Sequence, residues 1–376
     1  MTIINGTAGD DILNGGSAAD QIFGFAGNDI LNGNGGNDQL DGGTGADTMS
    51  GGTGNDIYFV DDIGDIVNES AGQGTDQVRT TLAAYALGAE VEKLRFMGVG
   101  SFTGTGNALN NEILGGASAD VLTGGDGYDY LVGLGGDDSL YGGADGDTLD
   151  GGTGADYLEG NGGDDVYLVD NVGDSVVEAA GEGLDTVYSS LASYTLGANV
   201  EDLYFNGASG SFTGTGNTLD NEIVGGSGND ILSGLDGNDE LVGGTGGDTL
   251  DGGNGDDLLT GSSGTDTMTG GSGADTFDWN TSFESGLGAS ADRIVDFTQG
   301  MDLIDLGGAD ADITTSGNQA FAFIGNAAFS NTAGELRTFD DGTDTWIQAD
   351  INGDGNADFE IVLTGVVPLV ATDFVL

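Results

Sequence analysis

A nine-residue period constrains this chain more than any other feature. From Gly6 the sequence reads GTAGDDILN, GGSAADQIF, GFAGNDILN and three further nonapeptides, and two more blocks of six begin at Gly115 and Gly225. In all 18 units of these three blocks the first residue is Gly, the sixth is Asp and the eighth is a large apolar residue. A fixed short period of this kind is the sequence signature of a stacked solenoid.

Each nonapeptide divides into a turn and a short strand. The pattern Gly-x-x-Gly-x-Asp supplies residues that tolerate positive φ, so the backbone can turn tightly and present its carbonyl oxygens. The next three residues, for example Ile12 to Asn14, are too few to stand alone, and their single apolar side chain points inward. Two nonapeptides therefore make one coil, and stacked coils build two parallel sheets with the position-eight side chains between them.

The turn is rich in hard oxygen ligands. Carbonyl and carboxylate oxygens on a flexible turn suit Ca²⁺, whereas Mg²⁺ demands tighter octahedral geometry and usually keeps several waters. The alternative is a metal-free solenoid in which each Asp only closes an Asx-turn. Stacked coils would, however, place like carboxylates roughly 5 Å apart, which is costly without a cation between them. The turns therefore predict Ca²⁺ sites.

The repeat follows GGxGxDxUx, and the chain resembles the RTX (repeats-in-toxin) family of calcium-binding β-rolls. The resemblance implies an all-β fold: a right-handed parallel β-roll or β-helix solenoid of nonapeptides, with wider intervening coils and a C-terminal β capping domain. It also implies that Asp side chains and glycine carbonyls of neighbouring coils share each Ca²⁺, with roughly a dozen ions or more. The predicted ligands are Asp11, Asp20, Asp29, Asp38, Asp47, Asp56, Asp120, Asp129, Asp138, Asp147, Asp156, Asp165, Asp230, Asp239, Asp248, Asp257, Asp266 and Asp275, with Gly27, Gly36, Gly45, Gly54, Gly136, Gly154, Gly237 and Gly255.

Two copies of a longer unit join the three blocks. Both contain the motif FTGTGN, and the second copy repeats the first with one insertion. Alternating apolar positions such as Val91, Leu94 and Phe96 predict strands, so we expect further solenoid coils here rather than linkers. The predicted domains are the first repeat block 1–59, the insert 60–114, the second block 115–168, the insert 169–224, the third block 225–276 and the C-terminal capping and export domain 277–376.

The sequence leaves the nine-residue period after the unit that contains Gly273. Stretches such as DRIVDFTQGMDLIDLGG and WIQADINGDGNADFEIVLTGV resemble the C-terminal domain of serralysin-type secreted proteases. The resemblance implies a domain that caps the apolar end of the solenoid, which solenoids require. It also implies an uncleaved type I export signal that ends with Asp373, Phe374, Val375 and Leu376. An ordinary last strand at these residues is compatible with such a signal.

One loop of this domain spaces its oxygens as an EF-hand does. Asp350, Asn352, Asp354 and Asp358 occupy ligand-like positions, but Ile361 stands at position 12, where an EF-hand needs a bidentate Glu. Two interpretations remain open from the residues, a looser Ca²⁺ loop and a metal-free turn.

Composition excludes several classes of function. The chain has no His and no Cys, so His-dependent nucleophilic catalysis, His- or thiolate-bound metals and disulfides are absent, and the HExxH zinc motif of serralysins cannot form. Five basic residues cannot neutralise a nucleic acid backbone, and no stretch of 18 apolar residues predicts a membrane span. Paired carboxylates could run glycosidase chemistry, but their regular placement in turns assigns them to Ca²⁺. We therefore expect no enzyme.

The charge and the predicted export route point to a calcium switch. A chain with a net charge of −59 resists compaction, which suits passage through an exporter, and Ca²⁺ outside the cell would then drive folding. We therefore expect an extracellular or cell-surface protein whose partners are Ca²⁺ and, in transit, the type I secretion machinery.

We further expect a structural protein that binds itself and forms a surface layer, filament or matrix. Only Met1 to Ile4 precede the first coil, so that coil is expected to be poorly capped and open to a second copy. Apolar residues at outward positions seven and nine also favour assembly; they are Phe23, Phe59, Tyr130, Val132, Tyr141 and Tyr157. The alternative is a Ca²⁺-dependent carbohydrate-binding or adhesin module that recognises a surface polysaccharide, or a non-catalytic partner of a secreted enzyme.

Overall fold

A computed structural model describes residues 1–282 and 284–376. Phe283, within the predicted C-terminal domain, lies outside the described residues. The chain divides into two compact units, Met1–Asp185 and Thr186–Leu376, each of which is a stack of short strands. Among the described residues, helix is limited to two 3₁₀ turns at Gly288–Ser290 and Ala371–Asp373, and none is long and apolar enough to cross a membrane. The fold is thus all-β, as predicted.

The first unit alternates its strands between the two sides of successive coils. Most strands have three to six residues, the length that each nonapeptide leaves after its turn. They are β1 (Thr2–Asn5), β2 (Ile12–Asn14), β3 (Asp20–Phe23), β4 (Ile30–Gly35), β5 (Gln39–Asp41), β6 (Thr48–Thr53), β7 (Ile57–Val60), β8 (Ile66–Val67), β9 (Gln77–Thr80), β10 (Ala84–Ala86), β11 (Lys93–Phe96), β12 (Thr103–Thr105), β13 (Glu112–Leu114), β14 (Val121–Asp126), β15 (Tyr130–Val132), β16 (Ser139–Ala144), β17 (Thr148–Asp150), β18 (Tyr157–Gly162), β19 (Val166–Val169) and β20 (Ser175–Val177).

Strands of the first unit pair in parallel with the strand one coil away. In the repeat blocks Thr2 lies opposite Asp20, a register step of two nonapeptides, so two nonapeptides form each coil. The insert continues the same ladder, since β9 pairs with both β7 and β11, and β11 pairs with β13. The step varies there, and Gln77 lies opposite Lys93, so this insert coil is shorter than a repeat coil. The predicted parallel β-solenoid is confirmed.

Position-eight side chains form the core of each stack. Ile22, Leu31, Leu40 and Met49 are fully buried, one from each successive nonapeptide. Because side chains of a strand alternate in direction, the residues on either side of them face outward. Val132 departs from this expectation: in register with Leu114 and Asp150 on its neighbouring strands, it is buried rather than outward-facing.

The second unit begins as the same kind of stack and ends differently. Its strands are β21 (Thr186–Ser189), β22 (Ser193–Thr195), β23 (Asp202–Phe205), β24 (Thr213–Thr215), β25 (Glu222–Ser227), β26 (Ile231–Asp236), β27 (Glu240–Gly246), β28 (Thr249–Asn254), β29 (Leu258–Gly264), β30 (Thr267–Ser272), β31 (Thr276–Asp278), β32 (Asp292–Ile294), β33 (Leu303–Asp305), β34 (Ala322–Phe323), β35 (Glu335–Asp340), β36 (Thr345–Asp350), β37 (Phe359–Leu363) and β38 (Phe374–Val375).

The end of the second unit covers the last repeat coils. β30 continues through β32 to β37, and β35, β36 and β37 form an antiparallel meander. Trp279 is fully buried beneath this meander, and its ring meets Phe359 edge-on at 6.5 Å. The final strand β38 pairs in parallel with β33. The C-terminal segment therefore closes the apolar interior of this unit.

Candidate cation-binding turns

The position-six aspartates are linked by a ladder of hydrogen bonds. The backbone N–H of each donates to Oδ1 of the aspartate one coil later; the distance from Asp20 to Asp38 is 2.7 Å, and the bonds from Asp38 to Asp56 and from Asp120 to Asp138 are the same length. Of the predicted aspartates, all except the half-buried Asp11 in the first coil are buried. Because each bond spans 18 residues, alternate aspartates form separate ladders, such as Asp11 to Asp29 and Asp20 to Asp38, and each ladder holds a row of carboxylates inside the turns.

The second oxygen of most of these carboxylates has no protein partner. Within the described residues, Oδ2 is buried without a hydrogen bond in Asp29, Asp38, Asp47, Asp56, Asp129, Asp138, Asp147, Asp156, Asp165, Asp230, Asp239, Asp248, Asp257 and Asp266. In three turns near the start of a block, Oδ2 instead receives a backbone N–H, as from Thr7 to Asp11, Gly16 to Asp20 and Gly116 to Asp120. Burying a carboxylate oxygen without a partner costs free energy, and a ligand bound in the turn would remove that cost.

The space beside each unpartnered oxygen is lined by a second oxygen. A Cβ placed on Gly33 would lie 2.3 Å from Oδ2 of Asp38 and 2.6 Å from the carbonyl oxygen of Gly51, one coil later. Gly24 and Gly133 have the equivalent neighbours, the Oδ2 atom of the aspartate five residues later and the carbonyl oxygen of the glycine one coil later. Carboxylate and carbonyl oxygens that converge on one small space fit a hard cation of the Ca²⁺ type.

The glycines predicted as ligands share a backbone that other residues rarely adopt. Gly27, Gly36, Gly45, Gly54, Gly136, Gly154, Gly237 and Gly255 all have positive φ. There is also no room for a side chain, because a Cβ on Gly45 would lie only 1.8 Å from the carbonyl oxygen of Gly27. Glycine at position four thus lets successive turns stack closely, with their carbonyl groups in line.

Without a cation these turns disfavour ionised carboxylates. Burial is the main cause that raises the pKa of Asp138 and Asp147 to about 7 and that of Asp266 to about 8, and the neighbouring aspartates of the ladder raise it further. A bound Ca²⁺ would neutralise the row and allow the carboxylates to stay ionised.

Two asparagines show how the chain fills such a space without a cation. Asn111 takes the place of an aspartate in the ladder, since its backbone N–H donates to Oδ1 of Asp129 at 2.6 Å. Its side-chain Nδ2 donates to the carbonyl oxygens of Val91 and Glu92, both at 3.3 Å. Asn221 does the same in the second unit. An amide donor therefore occupies the position that the aspartate turns leave to a ligand.

The ladder includes acids that the sequence analysis did not select. Asp65, Asp76, Asp174, Asp185, Asp292 and Asp302 each accept the backbone N–H of a position-six aspartate of the preceding coil. For Asp76 and Asp185 the signal was present in GQGTDQV and GEGLDTV, which keep Gly-x-Asp-x-apolar. It was missed because these two aspartates lie 20 residues beyond the previous member, which is longer than the regular step of two nonapeptides.

The EF-hand-like loop uses its own backbone to satisfy its acids. Asp350 is fully buried, and its two carboxylate oxygens accept the N–H groups of Gly353 and Gly355 at 2.7 and 2.8 Å. Asp358 accepts the N–H of Ile351 and the side-chain amide of Asn352. This bonding favours the metal-free turn of the two interpretations.

Two family models match the chain. The model for the RTX calcium-binding nonapeptide repeat matches four times, at residues 3–31, 23–58, 105–140 and 141–175. The model for the peptidase M10 serralysin C terminal matches residues 205–376, and so includes the third repeat block as well as the segment after it. The repeats therefore bind Ca²⁺, while the number of ions is a prediction.

Two solved structures are similar to parts of the chain. They are the AlgE6R3 and AlgE6R2 subunits of mannuronan C5-epimerase from Azotobacter vinelandii, each 28% identical. The first match covers 44% of this chain and 77% of the subunit with a TM-score of 0.27; the second covers 43% and 89% with a TM-score of 0.25. No curated protein matches this chain.

Proposed function

We propose that this chain, which matches the models for RTX calcium-binding nonapeptide repeats and for the serralysin C-terminal segment, is an exported protein that Ca²⁺ folds outside the cell. We also propose that its role is structural and non-catalytic, through self-assembly into a surface layer, filament or matrix. The observation that carries the first proposal is the row of buried carboxylates whose Oδ2 atoms have no protein partner among the described residues.

Calcium-dependent folding follows from the free-energy cost of burying the row of unpartnered carboxylates. A chain with 64 acidic and five basic residues gains little from compaction, and folding buries many of its carboxylates. Ca²⁺ binds only where coils are stacked, so its binding free energy becomes folding free energy. Extracellular calcium modules with affinities of about 10⁻⁴–10⁻³ M suit a protein that stays open in the cytosol and folds after export.

Circular dichroism of the full chain tests this switch. We expect a coil-like spectrum in EDTA at neutral pH and low salt, and a β-rich spectrum after Ca²⁺ is added in excess. Mg²⁺ at the same concentration serves as the control and should leave the spectrum largely coil-like. A β-rich spectrum in EDTA at neutral pH would contradict the proposal.

Self-assembly is supported by the first coil of the first unit. Among the described residues, β1 pairs only with β3 and β2 only with β4, so the outer edge of each strand has no pairing partner. Ile3 and Ile12 on these strands are 62% and 68% exposed. An unpaired parallel edge with exposed apolar side chains favours strand addition by another chain.

Light scattering and electron microscopy of the Ca²⁺-loaded protein test assembly. We expect particles larger than a monomer, and fewer of them for the double variant Ile3→Asp with Ile12→Asp. Ile63→Asp is the matched control, because Ile63 is 94% exposed but lies outside the strands of the first coil. A Ca²⁺-loaded wild-type protein that stays monomeric at high concentration would contradict self-assembly.

Carbohydrate binding is the second candidate, and exposed aromatic pairs favour it. Tyr188 and Tyr204 on neighbouring strands of the second unit stack with ring centroids 5.3 Å apart, and Tyr188 is partly exposed. The exposed ring of Tyr188 offers an aromatic surface to the apolar face of a sugar ring. A glycan array with and without Ca²⁺ tests this candidate, and Tyr188→Ala with Tyr204→Ala should abolish any signal.

A further inference from the structure

Three carboxylates meet where the first repeat block joins the insert. One oxygen each from Asp56, Glu69 and Asp76 lies within 4.8 Å of the other two. The same arrangement recurs in Asp165, Glu178 and Asp185, where the second block ends. The spacing of the three acids along the chain is identical in the two clusters. Because the same three acids recur where each of the first two blocks ends, we expect both clusters to have the same function.

Buried oxygens in these clusters have no partner in the described structure. Asp56 is 1% exposed and Asp165 is fully buried, and the Oδ2 atom of each makes no hydrogen bond. In the first cluster Oε2 of Glu69 is also buried without a partner, while Oε1 accepts the hydroxyl of Tyr58. Within each cluster, carboxylate oxygens without a hydrogen-bond donor therefore lie close to other carboxylate oxygens. A bound cation would compensate their charge, whereas an ionised carboxylate cannot, because it has no proton to donate.

A tyrosine makes these turns different from the regular ones. Position eight is Leu, Ile or Met in the earlier units of each block, but it is Tyr58 and Tyr167 in the last unit of the first and second blocks. Each hydroxyl accepts the N–H of the position-one glycine, Gly51 or Gly160, at 2.7 Å and donates to the glutamate. At regular turns the space beside that glycine is lined by the next glycine carbonyl instead. In these two turns the tyrosine hydroxyl lines that space, and it holds the glutamate carboxylate next to the position-six aspartate.

We propose that Asp56, Glu69 and Asp76 form a carboxylate-only site for a divalent cation of Ca²⁺ size, and that Asp165, Glu178 and Asp185 form a second such site. Ligand oxygens at about 2.3–2.6 Å from a Ca²⁺ ion are at most about 5 Å from each other, so the observed 4.8 Å limit fits one ion. Three acidic side chains give the site more negative charge than a turn that combines aspartates with carbonyls. The site ties each insert to the block before it.

Terbium binding to the full chain tests the proposal. Tb³⁺ replaces Ca²⁺ at oxygen sites and emits when a nearby tyrosine is excited, so Tyr58 and Tyr167 report on these two sites. We expect Glu69→Gln with Glu178→Gln to lower the tyrosine-excited emission and to remove two Ca²⁺ from the count in native mass spectrometry. Gln keeps a carbonyl oxygen for the tyrosine hydroxyl, so the hydrogen bond survives while the charge is lost.

Glu159→Gln is the matched control. Glu159 also accepts a tyrosine hydroxyl, from Tyr157 at 2.6 Å, but it belongs to neither cluster. We expect this variant to keep the wild-type ion count and emission. A double variant at Glu69 and Glu178 that binds as many ions as this control would overturn the proposal, even if its stability were lower.

A second double variant covers the case in which the first does not fold in Ca²⁺, as seen by circular dichroism. Tyr58→Phe with Tyr167→Phe keeps all six carboxylates and removes the hydroxyls. Phe sensitises Tb³⁺ far less than Tyr, so we expect an unchanged ion count with weaker emission. Unchanged emission would overturn the proposal. Circular dichroism of the wild type decides calcium-dependent folding separately, so the two proposals can fail independently.

Discussion

Asp266 donates its backbone N–H to Oδ1 of Asp292 at 2.9 Å, although 26 residues separate them. In the repeat blocks the same bond spans 18 residues, so the aspartate ladder passes from the last block into the C-terminal segment. The other oxygen of Asp292 accepts the indole N–H of the buried Trp279, also at 2.9 Å. The C-terminal segment thus ends this edge of the ladder with a carboxylate whose two oxygens are both used.

We predict that Asp292→Ala destabilises the Ca²⁺-loaded protein. The change leaves two buried donors unpaired, the N–H of Asp266 and the indole of Trp279, at roughly 1–3 kcal/mol each. Urea unfolding followed by Trp279 fluorescence in a Trp346→Phe background measures the loss. The exposed Asp340→Ala is the control and should unfold with the parent protein. Equal urea midpoints for Asp292→Ala and Asp340→Ala would contradict a stabilising role of the Asp292 hydrogen bonds.

Asp138→Asn should weaken calcium-driven folding more than Asp137→Asn. Asn keeps an oxygen for the N–H of Asp120, but the unpartnered carboxylate oxygen and its charge are lost. Asp137 is exposed and accepts the N–H of Ala155 on the outside of the turn. We expect the Ca²⁺ midpoint measured by circular dichroism to rise for the first variant and to stay near wild type for the second. Matching midpoints would remove Asp138 from the ligands.

Gly45→Ala is expected to destabilise the first unit by at least about 1–3 kcal/mol, the usual cost of a strained backbone. Gly45 has a φ of 132°, and its added Cβ would collide with the carbonyl oxygen of Gly27. Gly162→Ala is the control, because apart from Gly162 and its two chain neighbours no described atom lies within 4 Å of a Cβ there, and its φ is not positive. Denaturant unfolding in saturating Ca²⁺ compares the two. Similar losses for both would contradict a special role for the position-four glycine.

The metal-free protein should be more folded near pH 5 than near pH 8. Burial raises the pKa of Asp47, Asp138 and Asp266 to about 6, 7 and 8, above the value of about 3.9 in an unfolded chain. A raised folded pKa means that the folded state binds more protons, so stability falls as pH rises from about 4 to 8.

Circular dichroism of the chelated protein across this range measures the effect, with the Ca²⁺-loaded protein as control. In saturating Ca²⁺ the trend should reverse, because protons compete with the ion for the carboxylates. A metal-free spectrum that does not change with pH would contradict this assignment.

The repeat blocks were predictable because one local rule sets their structure. Gly at position one, Asp at position six and an apolar residue at position eight each have one place in the coil, so Leu31 and Leu40 could be assigned to the core from the sequence alone. The calcium-binding nature of the turns followed from the same rule.

The parts that break the period were less predictable. Asp76 and Asp185 joined the ladder at a step of 20 residues, which a search at the nonapeptide period does not find. The approach of Glu69 to Asp56 depends on a loop of the insert, and no local pattern fixes where such a loop returns. Val132 was expected outside because alternation predicts direction but not how neighbouring coils cover a side chain.

The aspartate ladder has a direction. Apart from Asp11 in the first coil, each position-six carboxylate receives its N–H from the coil before it, as Asp38 does from Asp20, and among the described residues none receives one from the coil after it. Loss of a coil on the carboxyl side therefore leaves a buried donor bare, whereas loss of one on the amino side only returns a carboxylate oxygen to water. The hydrogen bonds of each coil are completed by the coil that follows it. A stack that folds from its carboxyl-terminal end towards its amino-terminal end therefore leaves none of these N–H donors unpaired.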